Sequence, residues 1–192
     1  MIRPSAIYFG LDGGDDARQK VYLRTLLYAT AIRGVIVESM YVRVKRGESS
    51  QNFSSWHFGV ERPAKGSGMF VDKAGVIANH HFVMPPDGHY VFLPGRYTLD
   101  VHATLPGKKD GPPLHSATIE LTAALAKSLE DPDNGVYFDW GPDSNAYHGR
   151  VVKRRVARST GGDAGLIGLG ILDGVMAALG APSRTPSGDD GR

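Results

Sequence analysis

The sequence predicts an all-β antiparallel sandwich, and three observations carry that expectation. From Gly95 to Leu105 the chain alternates without a fault. Tyr97, Leu99, Val101, Ala103 and Leu105 fall on one side, and Arg96, Thr98, Asp100, His102 and Thr104 on the other. A strand repeats every two residues, so one face is apolar and the other wet. The stretch 116–122 repeats the pattern with Ala117, Ile119 and Leu121 inside, which predicts a hairpin on a half-buried antiparallel sheet. Turn signals then recur every 8–15 residues through about residue 125, the spacing that a sandwich produces.

In chain order, 6–10 reads as a first strand and 11–18 as a polar, Gly-rich turn. The apolar run 21–31 is short and carries Thr and Tyr, which favour strand over helix. Residues 35–44 alternate as one strand, with Ile36, Met40, Val42 and Val44 on its more apolar side. A loop at 45–51 and a strand at 52–60 follow, the latter carrying Phe53, Trp56 and Phe58. Residues 69–71 and 76–83 read as a hairpin around Asp72-Lys73-Ala74-Gly75, and Pro85-Pro86-Asp87-Gly88 as a strong turn. A strand at 90–93 precedes the 95–122 hairpin, whose tip at 106–113 is a long exposed connection. Beyond it, 127–135 reads as a turn, 136–140 as a strand, 141–145 as a sharp turn and 147–156 as a partner strand.

The run Gly95-Arg96-Tyr97-Thr98-Leu99 resembles the tyrosine corner of immunoglobulin-like and fibronectin-like sandwiches. The resemblance implies an immunoglobulin-like sandwich over roughly 5–125, with the Tyr97 hydroxyl bonded back to the backbone. Leu99 takes the position of the cysteine in antibody domains, so the antibody-type disulfide is excluded. The full reading is a β-sandwich domain over 1–156, including an extra C-terminal hairpin, and a helical or disordered extension over 157–192. A fold of this kind fixes no function.

Composition narrows the chemistry. The chain has 192 residues, 41% of them apolar, which supports one core. A net charge of +2 selects no nucleic acid. With no cysteine, disulfides, thiolate metal centres and cysteine nucleophiles are excluded. That absence, and an N-terminus that reads as strand rather than as an export segment, favour a cytoplasmic location. No phosphate-cradling glycine frame and no Gly-x-Ser-x-Gly elbow occur, and no cofactor is implied.

Candidate metal ligands are His80 and His81, with His57, His89 or His102 joining across strands. Neighbours on a strand face opposite ways, so one of His80 and His81 is expected buried and the other exposed. Acidic turns offer Asp12, Asp15 and Asp16, and Asp131, Asp133 and Asp139. Asp and Gly are equally the residues that turns demand. Glu38 and Glu120 are a carboxylate pair to test for glycoside chemistry. Trp56, Trp140 and Tyr147, with Phe58 and Tyr137, are candidates for a stacking platform, against the ordinary role of core filling. Lys108 and Lys109 at the hairpin tip are candidate contact residues.

The C-terminal stretch changes character. Lys153, Arg154, Arg155 and Arg158 precede an apolar run, 164–181, interrupted by Asp173 alone among charged residues. A self-association helix, a disordered tail and a membrane contact are its three readings. The leading expectation is a non-enzymatic binding or assembly module with a protein partner or a second copy. A membrane-attached domain and a metal- or carboxylate-dependent enzyme near His80 and His81 are the alternatives.

Overall fold

The computed structural model describes residues 1–13, 17–59, 64–66, 68–108 and 111–153. The fold is an all-β sandwich of antiparallel sheets, as the sequence predicts. Its larger sheet contains β1 (Ala6–Leu11), β2 (Gln19–Leu27), β6 (Ser55–Gly59), β7 (Ala64–Lys65), β9 (Val76–Val83), β12 (Asn134–Gly141) and β13 (Ala146–Lys153). They run in the order β13-β12-β1-β2-β9-β6-β7. The smaller sheet contains β4 (Ser39–Arg46), β5 (Ser49–Phe53), β10 (Gly95–Thr104) and β11 (His115–Leu121), in the order β11-β10-β4-β5. A separate two-stranded ribbon pairs β3 (Val35–Val37) with β8 (Met69–Val71). One helix, α1 (Ala123–Ser128), links β11 to β12.

Alternation builds the core. Ile7 and Phe9 of β1, Val21 and Leu23 of β2, and Val136 and Phe138 of β12 face inward from the large sheet. Val42 and Val44 of β4, Tyr97, Leu99 and Val101 of β10, and Ile119 and Leu121 of β11 meet them from the small one. Phe9 spans the layers, stacked on Phe92 at 4.2 Å between ring centres and edge-on to Tyr97 at 5.6 Å. Each large ring buried in this way contributes about 1.5–3 kcal/mol. The predicted 95–122 hairpin is present in register, Tyr97 opposite Ile119 and Leu99 opposite Ala117. The predicted C-terminal hairpin is present too. Its β12 does not stand apart but inserts beside β1, Ile7 opposite Phe138.

Five expectations are corrected. The strand expected over 52–60 breaks at Ser54, with β5 ending at Phe53 in the small sheet and β6 starting at Ser55 in the large one. The run 35–44 is two strands broken at Glu38, and its inward face changes there. Val37 is buried and Ile36 exposed in β3, whereas Met40, Val42 and Val44 are buried in β4. The reason is a change of partner, since β3 pairs with β8 and β4 with β10. Residues 69–83 form no hairpin, because β9 lies between β2 and β6. The turn at 72–75 does form, with the Gly75 N–H donating to Asp72 Oδ1 at 3.0 Å. The loop expected over 45–51 shrinks to a tight turn, and β5 starts at Ser49. Residues 90–93 form no strand, although Phe92 is buried in the core.

Helix α1 lies where the sequence reading placed none. Thr122 caps it, its hydroxyl oxygen accepting from the Leu125 N–H at 3.3 Å. Ala123, Ala124, Leu125 and Ala126 are strong helix formers.

Candidate functional site

His80 and His81 lie at the middle of the large sheet, and both are buried. The expectation of one exposed imidazole fails because the outer face of β9 is covered at His81, where Tyr22 lies against the ring. His80 faces the core. Trp56 Nε1–H donates to its Nδ1 at 3.2 Å. Burial lowers its pKa to about 4. His81 faces outward, directly opposite Tyr22 on β2 and His57 on β6. Tyr22 lies against it at 5.0 Å between ring centres, and the Tyr22 hydroxyl donates to Asn79 Oδ1 at 2.9 Å. Burial, then the ammonium of Lys20, lower the His81 pKa to about 3. Two neutral, back-to-back imidazoles on opposite faces share no ligand. His102 belongs to the other sheet, stacked on Tyr41, and His89 is exposed beyond β9.

Among the described residues no three His, Cys, Asp or Glu side chains come together as a metal site. Asp131 instead closes its own turn, accepting from the Asp133 N–H at 2.9 Å and from Asn134 Nδ2 at 3.2 Å. Asp139 pairs with Arg150 across β12 and β13. Asp12 pairs with Lys20 at 2.9 Å, and Asp15 and Asp16 lie outside the described residues. Glu38 is bonded at the Thr104 end of β10, and Glu120 sits opposite Arg96 near its start. Eight residues of strand separate those points, roughly 26 Å, too far for a carboxylate pair.

The aromatic candidates split. Trp56 is a core residue, 3% exposed, stacked on Phe58 and bonded to His80, so it offers no platform to a ligand. Trp140 and Tyr147 pair edge-on at 5.0 Å, on strands four and five spacings from that of Trp56. Arg3 lies over the Trp140 ring at 3.9 Å, and the Tyr147 hydroxyl donates to the Pro4 carbonyl at 2.8 Å. These two rings hold the N-terminal segment against the sheet. Lys108 is exposed at the hairpin tip, and Lys109 lies outside the described residues. So does the whole apolar run 164–181. Among the described residues no helix is long and apolar enough to cross a membrane.

Three features went unread in the sequence. On the turn between β12 and β13, Ser144 Oγ lies 2.6 Å from His148 Nε2. Both residues are exposed, and the carboxylate opposite His148 in register, Asp139, is held by Arg150. The hydrogen bond closes the turn, and neither residue lines the two surface clefts described below. The second feature is an apolar face on the β3–β8 ribbon. Ile36 and Phe70 are directly opposed, 53% and 59% exposed, and Ile32 is 86% exposed in the preceding turn. The third is a polar groove of about 450 Å³ on the outer face of the small sheet, between β4 and β5. A smaller cleft of about 210 Å³ lies between α1 and residues 91–94. Local alternation does not report any of these, because each depends on which strands become neighbours.

Comparison with protein-family models, with curated proteins and with solved structures finds no match for this chain. The class of protein is therefore defined by the fold alone, an all-β sandwich with an added two-stranded ribbon.

Proposed function

We propose that this chain is a non-enzymatic assembly module that binds a second copy of itself through the outer face of the β3–β8 ribbon. The observation that carries the reading is the exposed cross-strand pair Ile36 and Phe70, with Ile32 beside it. Soluble monomers expose single apolar residues freely but seldom group several large ones on one face. The opposite ribbon face is already committed, since Val37, Met69 and Val71 are buried. The exposed face is the surplus.

Two observations favour a second copy over a charged partner. Exposed Arg33 and Lys73 border the ribbon together with exposed Glu38 and Asp72, a balanced set that selects neither sign. A two-fold contact sets such a border against itself with opposite charges in reach. Each ribbon strand also pairs with only one neighbour among the described residues, leaving an edge open to strand addition. The immunoglobulin-like resemblance enters this reading as a proposal that rests on the Tyr97 corner.

Light scattering on the full chain tests it. A mass of two copies is expected, falling to one copy in Phe70→Lys and Ile36→Lys. Both positions are exposed, so little stability is lost with them. A monomeric wild-type chain, or a dimer that survives both substitutions, overturns the proposal. A chain ending at Arg158 separates the other route: loss of the dimer there, with Phe70→Lys still dimeric, assigns assembly to residues 164–181.

A further inference from the structure

We propose that the outer face of the small sheet binds a small hydroxyl-bearing oxyanion, a sugar acid or a sugar phosphate, with the Arg43 guanidinium as its anchor. Arg43 lies on β4 and is held from two sides by neutral groups. Its Nε–H donates to Asn52 Oδ1 on β5 at 3.2 Å. Its guanidinium carbon lies 5.9 Å from the centre of the Tyr41 ring. Tyr41 is braced in turn by His102, stacked at 4.7 Å with the planes 6° apart. A guanidinium fixed at Nε and along its face keeps both terminal nitrogens for a fork-like pair of hydrogen bonds to one oxyanion.

The carboxylate that ought to neutralise Arg43 is occupied elsewhere. Asp100 sits directly opposite Arg43 in the β4–β10 register. One of its oxygens takes Lys45 Nζ at 2.7 Å, and the other takes the Ser116 hydroxyl at 2.7 Å. Arg43 is left with no carboxylate partner among the described residues. It borders the groove of about 450 Å³, whose other walls are Lys45, Ser50, Gln51 and Asn52. Lys45, Ser50 and Asn52 share the outer face with Arg43, and each has a hydrogen-bonding side chain, which matches a ligand studded with hydroxyls. The strands supply a rigid base, so the cationic fork is organised before the ligand arrives. This site is on the small sheet and is independent of the ribbon face.

Amide NMR titration of the full chain with glucuronate, glucose 6-phosphate, inorganic phosphate and neutral glucose tests the proposal. Saturable shifts are expected at residues 43, 45 and 50–52 with one or both anionic sugars, and none with glucose. Whichever sugar binds more tightly identifies the oxyanion as carboxylate or phosphate. Arg43→Lys keeps the charge but loses the fork, and should weaken binding about tenfold with the unfolding midpoint unchanged. No saturable shift with either sugar overturns the proposal, as does equal binding to Arg43→Lys. Inorganic phosphate binding as tightly as both sugars overturns the sugar assignment.

Discussion

Tyr97 shows how one side chain ties an irregular segment to a strand. Its ring is fully buried, and its hydroxyl donates to the Leu93 carbonyl at 2.6 Å. Burial raises the phenol pKa far above its ordinary value, so the hydroxyl stays a donor at any pH the protein meets. Residues 90–93 make no ladder, and the Leu93 carbonyl relies on this bond together with the anchoring of Phe92 between Phe9 and Phe53. Tyr97→Phe keeps the ring and removes the donor, stranding a carbonyl. It should cost about 1 kcal/mol or more in urea denaturation. An unchanged unfolding free energy would show that the corner bond adds nothing to stability. His80 obeys the same logic with less freedom. Indole N–H only donates, so Nδ1 must be the bare nitrogen and the ring proton sits on Nε2. Nε2 is buried without a hydrogen-bond partner among the described residues, a cost the fold carries for packing Trp56, His80 and Phe82 into one stack.

At the scale of elements, Gly135 of β12 explains how the outer face of the large sheet closes over Tyr8. Tyr8 of β1 is 6% exposed although it points away from the core. Its ring lies across the backbone of the next strand, where a Cβ on Gly135 would come within 2.2 Å of it. Gly135→Ala lowers the backbone entropy of the unfolded chain, which by itself stabilises the fold by about 0.4–1 kcal/mol. The overlap with a buried ring costs more, about 1–3 kcal/mol. A net loss of stability is expected, and a smaller one in a Tyr8→Leu background. Equal losses in the two backgrounds would remove Tyr8 as the cause. Such contacts mark what the sequence conceals. β10 and β11 were legible because one face meets the core and the other water, so alternation alone locates them. The break at Glu38 was not, because β3 changes sides only when β8, more than thirty residues later, becomes its neighbour. His80 and His81 misled for a related reason, since alternation assigns faces but cannot say that the outer one is covered at His81. The N-cap Thr122 ahead of Ala-Ala-Leu-Ala was a readable helix signal. Arg43 was legible as a residue on the wet face of a strand. Its status as an uncompensated cation was not, because that depends on Asp100 choosing Lys45 and Ser116.

For the whole molecule, the two buried imidazoles predict a particular response to acid. Burial keeps His80 neutral down to about pH 4. Burial, with Lys20 next in weight, keeps His81 neutral to about pH 3. In the unfolded chain both take up a proton near pH 6.5. Between those limits the unfolded state binds more protons than the folded one, so stability rises with pH and falls as acid is added. Above about pH 7 the two histidines contribute no slope. At about 1.36 kcal/mol per pH unit for each group, His80 alone withdraws on the order of 3 kcal/mol between pH 6.5 and 4. The total stability of a domain is about 5–15 kcal/mol, so the loss is large. The carboxylates act in a lower window. Burial works to raise Asp12 and Asp100, but the ammonium of Lys20 and the hydrogen bonds from Lys45 and Ser116 outweigh it, and both end lowered. Their stabilisation is present above the ordinary carboxylate range and is lost only as pH falls through it. Acid sensitivity between pH 6.5 and 4.5 therefore belongs to imidazoles. Urea denaturation at intervals of half a pH unit should show only a shallow slope between pH 7 and 8, where the partly buried Met1 amino group is held below its ordinary value, and a steady decline below 6.5. His80→Gln and His81→Gln should each be less stable at pH 7.5 but shallower in slope, so that they approach the wild-type value near pH 4.5. A wild-type profile that stays level down to pH 4.5, or variants that run parallel to it, would mean that these histidines charge in the folded state and that the centre of the large sheet admits water.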